Sequence, residues 1–146
     1  MRKNFLICGL GILIAGTAFA LSSDQNVPLT FVADNATCQR QTEETVCTYL
    51  GQVHFDQGSS HLSAPKVTVL QKNDKINKVI AEGEGSRYIT QLDDGNKTVD
   101  ASAKQITLYP DDNLMVLSGN AQILEDKNKF TGSYLEYFYG KNTLTK

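Results

Sequence analysis

Short apolar segments recur along most of the chain, and none of them has the period of a helix. From residue 28 onward, alternating or β-branched apolar residues return about every ten positions, which is the spacing of strands joined by turns. Polar pairs such as Asn73-Asp74 and Pro110-Asp111 separate these segments and favour turns. The predicted strands are Pro28–Ala33, Thr45–Phe55, His61–Leu70, Ile76–Ala81, Arg87–Leu92, Ala103–Tyr109, Leu114–Leu124, Phe130–Tyr139 and Thr143–Lys146. The pattern predicts an all-β sandwich, jelly roll or barrel.

A faint internal repeat relates the two halves of this β region. Gly51 aligns with Gly119, Ala33 aligns with Ala101, and several apolar positions coincide as well. Glycine inside a strand is unfavourable, so a glycine at the same place in both copies predicts a bend or a close approach of two backbones. We therefore expect two imperfect repeats of curved strands with one apolar face each. Coincidence between regular β segments is the alternative.

Residues 1–20 have the layout of a secretory signal peptide. Arg2 and Lys3 precede an uncharged apolar run that ends at Ala18-Phe19-Ala20, where a signal peptidase could cut. Cleavage near Ala20 would leave residues 21–146 as one exported domain. The alternative is an uncleaved membrane anchor, for which the apolar run is at the short end of the required length.

Composition argues against one class of partner and constrains the cysteines. The chain has a formal net charge of −2 and no cluster of Lys or Arg, which argues against nucleic-acid binding. Loss of the leader would leave Cys38 and Cys47, and an even count in an exported chain favours a disulfide. Free thiols are the alternative, because a metal site lacks further ligands at suitable spacing.

Motifs for catalysis or cofactor binding are not found in the sequence. His54 and His61 could meet across a hairpin, but two solvent-facing histidines are favoured over a metal site. Gly83-Glu84-Gly85 is interpreted as a flexible turn, because no helix follows it as in a dinucleotide-binding site. We therefore predict no cofactor, no metal and no enzymatic activity.

Two stretches of the chain resemble the LptA/OstA family of lipopolysaccharide-transport proteins. The first is Gly51-Gln52-Val53-His54-Phe55-Asp56-Gln57-Gly58, followed by the alternating strand from Leu62 to Val69. The second is Leu117-Ser118-Gly119-Asn120-Ala121 and the strand pair after it. Gln52 stands where the family usually has Asn, and Pro65 stands where it prefers Asp. The resemblance covers nearly all of the chain after the leader.

This resemblance implies a fold, a ligand and partners. The implied fold is a partly open β-jelly roll whose interior takes up the acyl chains of lipopolysaccharide. The implied partners are LptC-like and LptD-like proteins, which would meet edge strands, and further copies of the chain stacked head to tail.

Candidate lipid-binding residues come from two sources. The resemblance implies Leu29, Phe31, Tyr88, Ile106 and Leu108. The period of two adds Val53, Phe55, Ile123 and Tyr137. Plain core packing is the alternative for each position.

Three functions are compatible with these features. The leading hypothesis is a periplasmic bridge protein that carries lipopolysaccharide from the inner to the outer membrane. The second is a membrane-anchored, LptC-like component of the exporter, and the third is a structural β-protein that polymerises without lipid.

Overall fold

Eight strands make up most of the structure, a computed structural model that describes residues 28–92 and 95–139. The strands are β1 (Thr30–Val32), β2 (Asn35–Arg40), β3 (Glu44–Gln57), β4 (Ser60–Lys72), β5 (Lys75–Leu92), β6 (Lys97–Tyr109), β7 (Leu114–Glu125) and β8 (Asn128–Phe138). The 3-10 turn Pro110–Asp112 joins β6 to β7. Asn73 and Asp74 join β4 to β5 with φ angles of 55° and 62°, which suit a tight hairpin.

The strands form one open antiparallel sheet. Its order is β1-β3-β4-β5-β6-β7-β8, and β2 also pairs with β3. Strand β1 pairs with residues 54–56 of β3, whereas β2 pairs with residues 45–50. One edge of the sheet is therefore shared by β1 and β2, and β8 is the other edge. The all-β class is confirmed, whereas the jelly-roll description and the two-repeat origin stay predictions.

A row of register shifts crosses the sheet from β3 to β7 and divides it into two leaves. The shifts lie between Leu50 and Val53, Ser63 and Lys66, Glu82 and Ser86, Ser102 and Gln105, and Ser118 and Ala121. The first leaf consists of β2 and the strand halves 44–50, 66–72, 75–82, 105–109, 114–118 and 134–138. The second leaf consists of β1 and the strand halves 53–57, 60–63, 86–92, 97–102, 121–125 and 128–132. Bulges of this kind bend a strand and increase its twist.

The bend along β3 is sharp enough to bring its two halves together. Tyr49 and Phe55 are six positions apart, which would separate them by about 20 Å on an extended strand. Their ring centroids are only 5.2 Å apart. The strand therefore bends sharply at Gly51-Gln52, and the inward side chains of the two leaves meet in one apolar interior.

Glycine permits this bend at equivalent places in β3 and β7. Gly51 and Gly119 have φ angles of 88° and 87°, and the residues after them are also left-handed, at 47° for Gln52 and 51° for Asn120. A side chain on Gly51 would overlap Asp34, and one on Gly119 would lie 2.8 Å from the Cβ atom of Lys104. The predicted bends at both glycines are confirmed, since only glycine combines positive φ with so close an approach.

Two predictions about individual strands are wrong. Ile76–Ala81 and Arg87–Leu92 belong to one strand, β5, because Gly83-Glu84-Gly85 is a bulge and not a flexible turn. Strand β2 was missing from the predicted strands, because Asn35–Arg40 has no apolar alternation; within the described part of the chain it pairs with β3 alone. The leader and the predicted strand Thr143–Lys146 lie outside the described residues.

Candidate functional site

The inward faces of both leaves form a continuous apolar interior. The apolar and aromatic side chains that are no more than 1% exposed are Val53, Phe55, Leu62, Val67, Val79, Ala81, Tyr88, Val99, Ala101, Ile106, Leu108, Met115 and Leu117. They alternate with polar or half-buried residues along each strand, as the period of two requires. Hydrocarbon is therefore the chemistry that this interior favours.

All nine predicted lipid-binding residues belong to this interior or to its border. Six of them are at most 2% exposed, namely Val53, Phe55, Tyr88, Ile106, Leu108 and Ile123. Leu29 and Tyr137 are partly buried against the same cluster. Phe31 is 42% exposed and touches the interior through Phe55. The six buried residues pack against the protein's own side chains in this structure, so only Leu29, Phe31 and Tyr137 stand at a border.

Three aromatic rings mark the border on the β1 side. Phe31 lies 5.3 Å from Tyr49 and 5.2 Å from Phe55, measured between ring centroids. Tyr49 comes from the first leaf, and Phe31 and Phe55 come from the second. Burial raises the pKa of the Tyr49 hydroxyl above its ordinary value, so the ring stays neutral. We call these three residues the aromatic cluster.

Strand β8 forms the opposite border. Its inward positions are Phe130, Leu135 and Tyr137, which lie opposite Ile123, Leu117 and Met115 of β7. Phe130 is 45% exposed, while Leu135 and Tyr137 are half-buried. The Tyr137 hydroxyl donates to Glu125 Oε2 at 3.1 Å, which fixes its ring at the border.

Sequence reasoning missed Tyr49, Phe130 and Leu135 as candidate contacts. Tyr49 has the same parity as Val53 and Phe55, so the period of two contained the signal. Phe130 and Leu135 have opposite parity along β8, because the β7–β8 register shifts between Ser118 and Ala121. A period-two pattern cannot locate such a shift.

A few polar groups are buried next to this interior. Ser60 Oγ and Thr90 Oγ1 share a hydrogen bond of 2.7 Å, and both residues are at most 1% exposed. The Tyr139 hydroxyl is buried and has no hydrogen-bond partner among the described residues. Burial, with a smaller contribution from the nearby Tyr88, raises the pKa of Tyr139 far above its usual range. This hydroxyl therefore stays protonated and neutral.

An open depression of about 370 Å³ lies at the bulge between β7 and β8. It is lined by Asn120, Ala121, Gln122, Thr131 and Gly132. Asn120, Gln122 and Thr131 bring amide and hydroxyl groups to this lining, so the depression is chemically distinct from the interior.

Metal-ligating groups are scattered over the part of the chain that the structure describes. His, Cys, Asp and Glu side chains nowhere gather there into a group of three that could hold a metal ion. His61 Nδ1 instead lies 2.7 Å from Asp56 Oδ1 at the surface, and His54 is exposed on the neighbouring strand.

The two cysteines that the structure describes lie on neighbouring strands. Cys38 and Cys47 are directly opposite on β2 and β3 and form a disulfide, as predicted.

Within the described ranges, no helix has the length and apolar character needed to cross a membrane.

Comparison with known proteins finds the same type of molecule. Residues 31–143 match the sequence profile of the family described as "LptA/(LptD N-terminal domain) LPS transport protein". The chain is 32% identical to the lipopolysaccharide export system protein LptA of Haemophilus influenzae, over 99% of this chain and 84% of the relative. It is 30% identical to the export system protein LptH of Pseudomonas aeruginosa, over 90% of this chain and 75% of the relative.

A solved structure has a similar fold. The crystal structure of Pseudomonas aeruginosa LptH superposes with a TM-score of 0.71 at 27% identity, covering 80% of each chain. That protein is described as the LptA-homologous periplasmic component of the conserved lipopolysaccharide transport device. The match of family profile, relatives and fold shows that the chain belongs to the family of LptA and LptD N-terminal-domain lipopolysaccharide-transport proteins.

Proposed function

We propose that this chain is a periplasmic bridge protein that carries lipopolysaccharide from the inner to the outer membrane. The observation that carries the proposal is the apolar interior between two leaves, bordered by accessible aromatic residues. Removal of an acyl chain from water is favourable by about 0.8 kcal/mol per methylene group. An apolar interior therefore suits the lipid part of the molecule better than a charged surface would.

The lipid contacts in this proposal are the nine candidate residues, and they divide into two groups. Leu29, Phe31 and Tyr137 would meet the lipid first, because they stand at the borders. The buried group, which includes Tyr88 and Leu108, would contact the lipid once an acyl chain has entered the interior.

Both edges of the sheet suit the proposed assembly. Among the residues that the structure describes, β8 has a partner strand on one side only, and so do β1 and β2. Unpaired edges present backbone donors and acceptors to an added strand. We propose that LptC-like and LptD-like proteins, and further copies of this chain stacked head to tail, dock at these edges.

Export and cleavage near Ala20 complete the proposal. The mass of the protein recovered from the periplasm decides between a cleaved leader and a retained anchor. A first residue at Leu21 supports the bridge protein, whereas an intact leader in the membrane fraction supports the anchored, LptC-like alternative.

Photo-crosslinking at adjacent positions of β1 tests lipid binding. Phe31 and Val32 are both accessible, at 42% and 57%, but Phe31 faces the interior and Val32 faces away from it. A photoreactive residue at position 31 should form an adduct with lipopolysaccharide, and the same residue at position 32 should form far less. Equal adducts at both positions, or none at position 31, would contradict the proposal.

Substitution at the same two positions gives a second test. Phe31→Asp places a charge against Tyr49 and Phe55 and should weaken lipopolysaccharide binding, whereas Val32→Asp should not. Leu108→Asp is unsuitable for this purpose, because Leu108 is completely buried and a charge there would unfold the sheet.

A further inference from the structure

The closed interior raises the question of where a hydrocarbon chain passes between the leaves, if the proposed function holds. Val53, Phe55 and Tyr88 are at most 1% exposed, so the protein's own side chains cover them. An acyl chain must displace part of the protein that covers these residues before it can reach them. The segment that is held most weakly at a border is the natural place for this displacement.

The three edge strands differ in how firmly they are held. Strand β8 has ten cross-strand residue pairs with β7. Strand β2 has six pairs with β3 and is also joined to it by the Cys38–Cys47 disulfide. Strand β1 has three pairs with β3 and no covalent tie among the described residues. By this measure β1 is the edge segment that separates most easily.

The side chains of β1 contribute one main contact to the interior. Thr30 and Val32 are exposed, and Phe31 is the residue whose ring rests on Tyr49 and Phe55. Movement of β1 away from β3 would therefore uncover both rings at once. Those rings come from different leaves, so the space between them leads directly into the interior.

The chain immediately after β1 is fixed in place. The backbone N–H of Asp34 donates to the carbonyl oxygens of Leu50 and Gly51, at 3.0 and 3.1 Å. The Asp34 side chain also occupies the space beside Gly51 where a Cβ atom would stand. Together with the disulfide between β2 and β3, these contacts anchor the downstream end of β1, so that Leu29 and residues 30–32 would swing together as one short unit.

We propose that the space beneath β1 is the port through which an acyl chain reaches the interior, and that β1 is its flap. A hydrocarbon chain replaces Phe31 against Tyr49 and Phe55, while Asp34 and β2 remain in place. The exchange substitutes one apolar contact for another, so β1 opens only when the hydrocarbon is present to cover the two rings.

A disulfide across β1 and β3 tests this port in the full mature domain. Val32 and His54 are directly opposite and both face outward, so Val32→Cys with His54→Cys can be bridged without disturbing the aromatic cluster. Bridging reduces the fraction of molecules in which β1 has moved away from β3 and the interior is open to lipid. Uptake of lipopolysaccharide and of a fluorescent long-chain fatty acid should therefore slow by about tenfold or more. The unbridged control, Val32→Ser with His54→Ser, should match the unmodified chain.

A second bridge keeps the test specific. Val116 and Glu136 are directly opposite and tie β7 to β8, so Val116→Cys with Glu136→Cys restrains the other edge. This bridge should leave uptake unchanged. Normal uptake by the β1-bridged protein, or equal slowing by both bridges, would overturn the port while lipid binding itself remained intact. Failure of the unmodified chain to bind either lipid would overturn both the port and the proposed function.

Discussion

The two edges of the sheet are built from different parts. The N-terminal edge is divided between β1, with three residues, and β2, with six, and a disulfide ties β2 to β3. The C-terminal edge is one strand, β8, with eleven residues and no disulfide among those described. The N-terminal edge therefore depends on local anchors, whereas the C-terminal edge depends on a long ladder and on inward side chains such as Leu135. This difference makes the two edges of the sheet physically distinct, which gives the molecule a direction from one edge to the other.

The largest expected effect is at the anchor of the N-terminal edge. Gly51→Ala should lower the free energy of unfolding by about 3 kcal/mol, because it adds overlap with Asp34 to the strain of positive φ. Gly85 has the same φ of 88° but nothing within 4 Å of a Cβ atom. Gly85→Ala should therefore cost only about 1–2 kcal/mol, from strain alone. Equal losses in urea unfolding would show that Asp34 does not anchor this edge.

The disulfide should have the next largest effect. Cys38→Ser with Cys47→Ser should lower the free energy of unfolding by about 2–3 kcal/mol, because the closed loop is short in the chain-entropy model. Thermal unfolding of this variant and of the reduced unmodified chain should agree. An unchanged midpoint in both would mean that β2 is held by its ladder alone.

A smaller effect is expected from an inward side chain of β8. Leu135→Ala removes a half-buried side chain and should cost about 1–2 kcal/mol, less than a fully buried leucine. Phe138 lies on the outward face of the same strand and is 62% exposed. Phe138→Ala should therefore change stability by no more than about 0.5 kcal/mol. A larger loss at Phe138 than at Leu135 would reverse our assignment of the two faces of β8.

The smallest expected effect is a gain in stability and not a loss. Tyr139→Phe should stabilise the protein by about 1 kcal/mol at neutral pH, because it removes a buried hydroxyl that has no partner among the described residues. Chemical unfolding of the two proteins at neutral pH measures this gain. Destabilisation would mean that the hydroxyl is hydrogen-bonded.

The same substitution should change the response to alkali. The pKa of Tyr139 is raised in the folded state, so the folded protein holds this proton more tightly than the unfolded chain does. Ionisation of Tyr139 therefore costs more in the folded protein than in the unfolded chain, so stability is unaffected below the unfolded pKa of about 10 and falls as the pH rises above it. Tyr139→Phe should therefore lose less stability than the unmodified protein as the pH rises. Burial also raises the pKa of Tyr49, which should account for part of the alkaline loss that remains in the variant. Identical pH profiles would contradict the assignment.

The strands and their inward faces were largely predictable from sequence. Alternation placed Val53 and Phe55 on the apolar side of β3, and the glycines at positions 51 and 119 predicted the bends. Strand β2 was not predictable in this way, since its pairing with β3 and the disulfide, and not a buried face, hold it. The unity of β5 was missed because glycine favours both turns and bulges, and only pairing with β4 and β6 distinguishes them.

The depth of each candidate site residue was not predictable. Phe31 and Phe55 are cross-strand partners on the same face, yet one is 42% exposed and the other 1%. Their difference comes from their position in the sheet, since β1 is an edge strand and β3 has neighbours on both sides. Leu108 was a candidate lipid contact on the same grounds as Phe31, but it lies in the closed part of the interior.

The sequence by itself predicted an all-β chain with one apolar face per strand and the bends at Gly51 and Gly119, and it favoured a disulfide between Cys38 and Cys47. These properties are local, because they depend on alternation, on glycine and on the number of thiols. Only the tertiary structure decided which apolar residues are sealed and which stand at a border. That outcome depends on how one leaf covers the other, and contacts between residues far apart in the chain leave no period in the sequence.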